Sequence, residues 1–234
     1  MLSYKRVFPW KHTLLVVIHA ESPEQALRNA KIAFDAGANG IFLINHRITR
    51  IELFECYEAV RSAFPGKWIG LNWLDLSSVS ALSMMQPSMN GLWLDNIGAG
   101  ESREKNWQAQ AFAKDRERRE KALRTSFLVF GGVAFKYQPK VASLQNATRS
   151  AMPFADVITT SGEGTGIAAD LKKIKTMKKV LGDHPFAIAS GITPENVHEY
   201  MPFADCFIVA TGISRSESEL DPARAEKLAT ALSS

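Results

Sequence analysis

Short apolar runs recur along the chain at near-even intervals: Thr13–His19, Gly40–Asn45, Lys67–Leu74, Gly91–Asp95, Ser126–Phe130, Asp156–Thr160, Phe186–Ala189 and Cys206–Thr211. Successive runs begin about 28 residues apart, the length of a strand plus a crossover helix. Within each run the apolar residues are continuous rather than alternating, as expected of strands covered on both faces. The polar stretches between them carry helix punctuation. Ser22-Pro23-Glu24 predicts a helix start with Ser22 as N-cap, and Asp35-Ala36-Gly37 predicts its end. Thr193-Pro194-Glu195 predicts another start of the same kind. Asp115–Arg124 is dense in charge, with Glu117/Lys121 and Glu120/Arg124 at i,i+4, and reads as a solvated helix face, as does Lys172–Lys179.

One five-residue repeat is sharp. Met152-Pro153-Phe154-Ala155-Asp156 returns as Met201-Pro202-Phe203-Ala204-Asp205, each time directly before a predicted strand. Eight strand–helix units without a Pro/Gly-rich linker predict one α/β domain over residues 1–234, a single closed (β/α)8 TIM barrel. An open doubly wound sheet is disfavoured, because its glycine-rich first turn is missing from His19-Ala20-Glu21-Ser22-Pro23.

Composition narrows the setting. With 234 residues, 46% apolar and 22% charged, the chain can build a sizeable core. The net charge of +4 is too small to argue for nucleic acid and is compatible with an anionic small molecule. Cys56 and Cys206 can form neither a disulfide framework nor a metal knuckle, so a cytoplasmic protein is expected. Leu14–Ala20, the longest strongly apolar run, is interrupted by His19 and falls far short of a membrane span. Self-association is compatible with a barrel, but the sequence locates no interface.

In a barrel the chemistry sits at the carboxyl ends of the strands. There the chain places His19, Asn45-His46-Arg47, Asn72, Asp95-Asn96 and, beyond strand five, Lys136. The last three loops begin with Ser161-Gly162, Ser190-Gly191 and Thr211-Gly212, followed by further glycines and hydroxyls. Glycine-bearing turns with free N–H groups favour bound phosphate, so these six residues are the candidate phosphate contacts. Asp95 ends an apolar run where partial burial raises a carboxyl pKa, making it the candidate general acid/base. Lys136 could pair with an anionic substrate or form a Schiff base, and Asn72 could orient a hydroxyl or carbonyl. His19 and His46 show no metal-ligating spacing, so no metal is expected. No cofactor is expected either: FMN bound through the same phosphate loops is a weaker option, and the sequence offers no separate flavin signal. Nucleophile-elbow, Walker A and C-x-x-C motifs are absent from the sequence.

The segments Ser161-Gly162-Glu163-Gly164-Thr165-Gly166 with Asp170-Leu171, and Ser190-Gly191-Ile192-Thr193-Pro194-Glu195-Asn196-Val197 before Tyr200–Asp205, resemble the BtpA family. The likeness extends to Gly70-Leu71-Asn72 and to Lys136 with Pro139. The resemblance implies a ribulose-phosphate-binding barrel and either an enzyme of phosphorylated metabolites or a photosystem-type assembly role. The family tends to carry a Pro/Gly-rich loop after the strand-one histidine, and an aspartate and a histidine on strand five. Here the loop is missing, and Gly132 and Ala134 stand on strand five.

The leading expectation is a barrel enzyme acting on a sugar phosphate or phosphoribosyl compound by isomerase- or lyase-type acid–base chemistry. The alternative is a non-catalytic binding or assembly factor. An enzyme needs Asp95, Asn72 and Lys136 to converge on one pocket. A scaffold can fill that space with Trp73 or Trp93.

Overall fold

The computed structural model describes residues 3–101 and 106–233. Eight parallel strands close a barrel in chain order. They are β1 (Thr13–His19), β2 (Gly40–Ile44), β3 (Trp68–Asn72), β4 (Gly91–Leu94), β5 (Leu128–Gly132), β6 (Val157–Ser161), β7 (Phe186–Ala189) and β8 (Cys206–Val209). Each pairs with the next, and β8 closes onto β1 through registers such as Leu15 with Ile208. The helices are α1 (Tyr4–Val7), α2 (Pro23–Asp35), α3 (Arg50–Ala63), α4 (Ser78–Met84), α5 (Trp107–Leu123), α6 (Leu144–Ala151), α7 (Leu171–Leu181), α8 (Val197–Tyr200) and α9 (Pro222–Ser233).

Alternation along the strands sorts their residues into two cores. Ile41, Leu43, Ile69, Leu71, Leu92 and Val129 face outward to the helices. Leu15, Val17, Phe42, Trp68, Trp93, Leu128 and Phe130 fill the interior. The interior mixes large and small residues: a Cβ on Gly40, Gly70 or Gly91 would lie 2.7, 2.8 or 2.4 Å from the Trp68 ring. Those glycines make space for one indole at the barrel's lower end. The short α1 covers that end, where the Tyr4 hydroxyl donates to Thr13 Oγ1 at 2.8 Å and Phe8 packs edge-on to Trp68 at 5.3 Å.

Most predicted boundaries hold within two residues, and the departures have causes. β5 begins two residues later than its apolar run and ends on Gly131-Gly132. A Cβ at Gly132 would sit 2.0 Å from the carbonyl oxygen of Asp95, and one at Gly131 would sit 2.8 Å from Ala155. Backbone-to-backbone approach, not side-chain hydrophobicity, therefore places the end of that strand. Ser22 caps α2 as expected, accepting from the Gln25 N–H at 3.2 Å. The helix expected from Thr193 instead starts at Val197. The Asn196 side chain accepts from the Thr193 N–H at 2.9 Å and donates to the Gly191 carbonyl at 2.8 Å, which folds Thr193–Asn196 into a turn.

The charged face of α5 is also only partly solvated. Arg124 adopts the left-handed conformation that terminates the helix. Glu120 pairs instead with Arg116 at 3.3 Å, and the buried Arg116 reaches Asp156 at 2.7 Å. The five-residue repeat is structural as well as sequential. In one copy the Asp156 carboxylate accepts from the Val129 N–H at 2.7 Å, and in the other Asp205 accepts from the Phe186 N–H at 3.1 Å. Each aspartate thereby fixes the entry of its own strand against the preceding one.

Candidate functional site

Because inward-facing residues alternate, the strands deliver a defined set to the carboxyl-end mouth: His19 from β1, Asn72 from β3, Asp95 just past β4 and Ser161 from β6. Asn72 is buried, and its Nδ2 donates to Asp95 Oδ1 at 3.0 Å. Burial pushes the Asp95 pKa above its ordinary value, while the Asn72 hydrogen bond and the nearby Lys136 charge hold it partly down. Such a carboxyl is suited to carry a proton nearer neutral pH than a solvated one.

Lys136 reaches the same rim from the loop after β5. Its N–H donates to Ser161 Oγ at 2.8 Å, and its Nζ donates to Thr165 Oγ1 at 3.2 Å. Gln138 latches this loop down by donating to the Asp95 carbonyl. Asp95 and Asn72 line a cavity of about 480 Å³ with Trp73, Leu76 and Trp107, between the loops after β3 and β4. Lys136 lines a neighbouring cavity of about 550 Å³ with Gly162, Glu163 and Lys173. The three predicted residues therefore share a rim and an electrostatic field but open onto two adjoining cavities. Two larger cavities, of 810 and 850 Å³, lie at the opposite end of the barrel and contain none of these groups.

Trp93 and Phe135 occupy the centre of the mouth, edge to face at 5.9 Å and almost fully buried. Trp73 belongs to the outer core instead. The Trp93 Nε1 and Thr159 Oγ1 atoms are buried and, among the described residues, have no hydrogen-bond partner.

Across the mouth, the loops after β6, β7 and β8 are stacked backbone on backbone. A Cβ on Gly162 would lie 2.1 Å from the Ile167 carbonyl oxygen, one on Gly191 2.0 Å from Ala168 N, and one on Gly212 1.8 Å from the Ile192 carbonyl oxygen. Gly191 and Gly212 thus join each loop to the one before it, while Gly162 folds the loop after β6 against its own Ile167–Ala168 backbone. Sequence reasoning saw the glycines but not this packing role. Among the described residues, the N–H groups of Ser190, Gly191, Thr211 and Gly212 donate to no acceptor in the protein. The Ser161 hydroxyl is already committed, donating to the Gly162 carbonyl at 2.9 Å as well as accepting from Lys136. The Thr211 side chain is exposed. Left-handed backbone in residues other than glycine collects around the mouth, at Ala134, Tyr137 and Ser190. Strain of this kind concentrates at functional sites.

Two groups escaped the sequence reading. Lys173, on α7, has its Nζ buried between loops, donating to the Ser161 carbonyl at 2.7 Å and to that of Ala134. Burial pushes its pKa down to about 8. Glu217, between β8 and α9, approaches His46 and forms an ion pair with Arg47. Neither had a signal in spacing, since one lies mid-helix and the other in a charged loop.

The BtpA family profile matches residues 69–234. An uncharacterised protein of Thermococcus kodakarensis is 25% identical over 222 residues, covering 88% of this chain and 84% of its own. An uncharacterised protein of Methanocaldococcus jannaschii is 28% identical over 113 residues, 46% of this chain and 43% of its own. Among solved structures, phosphoribosyl anthranilate isomerase from Thermus thermophilus superposes with a TM-score of 0.66 at 16% identity, over 94% of this chain and 98% of that one. (S)-3-O-geranylgeranylglyceryl phosphate synthase from Thermoplasma acidophilum, in complex with sn-glycerol-1-phosphate, does so with a TM-score of 0.69 at 14% identity, over 99% of each. These structural likenesses are of fold. No helix among the described residues is long and apolar enough to cross a membrane.

Proposed function

The chain belongs to the BtpA family, and we propose that it is a barrel enzyme acting on a small phosphorylated metabolite, a sugar phosphate or phosphoribosyl compound. The observation that carries the reading is the division of the mouth. Backbone N–H groups without acceptors stand on one side, and a hydrogen-bonded, half-buried carboxyl stands on the other. N–H groups of Ser190, Gly191, Thr211 and Gly212 would bind the phosphate, with the Thr211 hydroxyl beside them and Ser161-Gly162 forming the wall. Anchoring the phosphate there directs the rest of the substrate toward Asp95, which exchanges the proton. Asn72 holds the carboxyl in place, and Lys136 offsets negative charge that develops next to it. Isomerase- or lyase-type chemistry asks for no more than this anchor and this acid/base group. The structural neighbours named for a phosphoribosyl substrate and a glycerol phosphate complex support the ligand class by analogy of fold.

A second reading is a non-catalytic binding or assembly factor. It is favoured by Asp95 with Asn72 and Lys136 opening onto two cavities instead of one, by Trp93 and Phe135 filling the centre of the mouth, and by Gly132 and Ala134 on the fifth strand and its loop.

A thermal-shift titration separates the two. Inorganic phosphate, ribose 5-phosphate, ribulose 5-phosphate, phosphoribosyl pyrophosphate, AMP and FMN would be titrated against wild type, Ser190→Gly and Thr211→Val. The enzyme reading expects at least one sugar phosphate to stabilise the wild type by about 2.7 kcal/mol at about a hundred times its dissociation constant. It expects a smaller effect with Thr211→Val. A panel with no shift at all would favour the assembly factor.

A further inference from the structure

We propose that His19, His46 and Glu217 form a binding site for one divalent transition-metal cation at the edge of the barrel mouth. The residues come from three places: the last position of β1, the loop after β2, and the segment between β8 and α9. One ligand atom from each lies within 4.8 Å of the others. The two imidazole rings lie nearly parallel, 27° apart with centroids separated by 5.3 Å. His46 Nδ1 is 3.2 Å from Glu217 Oε1.

A simple surface ion pair accounts for His46 and Glu217, and the His19 ring approaches the Glu217 backbone, which still leaves one His19 nitrogen unused. The Nδ1 of His19 is buried and, among the described residues, has no hydrogen-bond partner. Leaving such a nitrogen unpaired is costly unless a ligand joins it. A cation shared by one nitrogen of each neutral imidazole and one carboxylate oxygen accounts for the close approach of the two rings to each other and to Glu217.

The surroundings hold the donors in place. Arg47 bonds Glu217 Oε2, so that Oε1 is left facing His46. Gln25, buried on α2, uses its single Nε2 to donate to the His19 carbonyl at 3.1 Å and to the Ser218 carbonyl. One amide therefore ties the end of β1 to the loop that carries Glu217. Asn29, fully buried one turn further along α2, donates to the same Ser218 carbonyl at 2.9 Å and accepts from the Leu220 N–H at 2.9 Å. Buried amides that clamp a loop beside prospective ligands are the kind of outer support that metal sites use.

The donor set defines the ion. Two imidazoles and one carboxylate suit zinc, cobalt, nickel, iron or manganese, whereas magnesium and calcium take oxygen ligands. Three protein ligands leave positions open for water or for an oxygen of a bound molecule. His46 and Glu217 are exposed, so an ion can enter from solvent. The site needs no phosphate in the mouth, and its test is separate from that of the function proposed above.

The experiment uses untagged full-length protein, stripped with chelator and titrated calorimetrically with Zn²⁺, Co²⁺ and, as a control, Mg²⁺. The visible spectrum of the Co²⁺ form is recorded in parallel. Wild type is expected to bind one equivalent of Zn²⁺ or Co²⁺, to show a Co²⁺ ligand-field band, and to ignore Mg²⁺. His46→Ala and Glu217→Gln change exposed side chains and keep the fold, and each is expected to weaken binding roughly tenfold or more. His19→Gln should abolish the band, with circular dichroism confirming that the variant is folded. Absence of binding by folded wild type would overturn the site. So would binding left unchanged by His46→Ala and Glu217→Gln, because the ion would then be held elsewhere.

Discussion

The two sides of the barrel mouth are made from different materials. On the side of β6, β7 and β8 the surface is backbone: three loops lie against one another at Gly191 and Gly212, and the first folds on itself at Gly162, with no room for a Cβ at any of the three. On the side of β1 to β4 the surface is side chains: His19, Asn72 and Asp95, delivered from β1, β3 and the end of β4 by the alternation of inward and outward positions. The backbone side is closely packed and chemically uniform, suited to an anion that every substrate of a class would share. The side-chain side can be changed residue by residue without disturbing the fold, which suits it to carry what is particular to this protein. Gly132 shows where the two meet. Its backbone lies against the Asp95 carbonyl so closely that no Cβ fits, so β5 can offer no carboxylate at that point and the nearest one stands beyond β4.

The largest expected effect tests the backbone side. Gly212→Ala and Gly191→Ala each drive a Cβ to within about 2 Å of neighbouring backbone, and Gly191 also has a φ of +68°. Each should cost about 3 kcal/mol or more, lowering Tm by roughly 6–12 °C for a chain of this size. Gly164→Ala is the control from the same loop system. Its Cβ would meet only the Ile167 side chain, nearest at Cδ1, 3.2 Å away, and that side chain can yield, so the cost should stay below about 1 kcal/mol. Equal losses at Gly164 and Gly212 in chemical denaturation would show that the stacking of loops is not what those glycines secure.

That asymmetry also explains what could be read from sequence. The barrel was legible because eight buried strands leave eight continuous apolar runs, and because Met-Pro-Phe-Ala-Asp marks two equivalent strand entries. The backbone side was legible as glycine-bearing loops, although the reason for the glycines was not: an approach between loops that leaves no room for a Cβ is a tertiary fact with no local signature. The side-chain side was legible only by position. Asp95 and Asn72 could be placed at strand ends, but their hydrogen bond depends on the register of β3 with β4. Glu217 and Lys173 stayed hidden, since a glutamate in a charged loop and a lysine within a Lys-rich helix look like solvated residues until the fold brings them to the mouth.

Lys173 sits at the β5–β6 junction between the two sides, and its removal should have the next largest effect. Its ammonium ties the Ser161 carbonyl at the end of β6 to the Ala134 carbonyl in the loop after β5. Lys173→Met keeps most of the aliphatic stem and leaves both carbonyls without that donor, at a cost of about 1–3 kcal/mol. Hydrogen exchange should report the loss first in the segments around Ala134 and Gly162. A loss distributed evenly over the barrel would mean that the lysine does not act as a local tie.

The smallest effect is expected at Asp95, and its sign sets it apart from the others. Burial holds the folded-state pKa above the ordinary value of 3.8, so the native protein keeps this proton to higher pH than the unfolded chain does. The stabilisation linked to that proton is complete below about pH 4 and is lost as pH rises through the raised value. Asp95→Asn retains an acceptor for Asn72 and carries no charge at any pH. The variant should therefore match the wild type near pH 4, gain on it as pH rises, and level off once the wild-type carboxyl is ionised. Lys136→Ala removes a charge that favours the ionised form, so the advantage of Asp95→Asn should widen in that background. A Tm difference that stays constant with pH would mean that Asp95 ionises as freely in the folded protein as in the unfolded chain. The side-chain half of the mouth would then hold a solvated carboxylate, without the raised proton affinity that acid–base catalysis at this position requires.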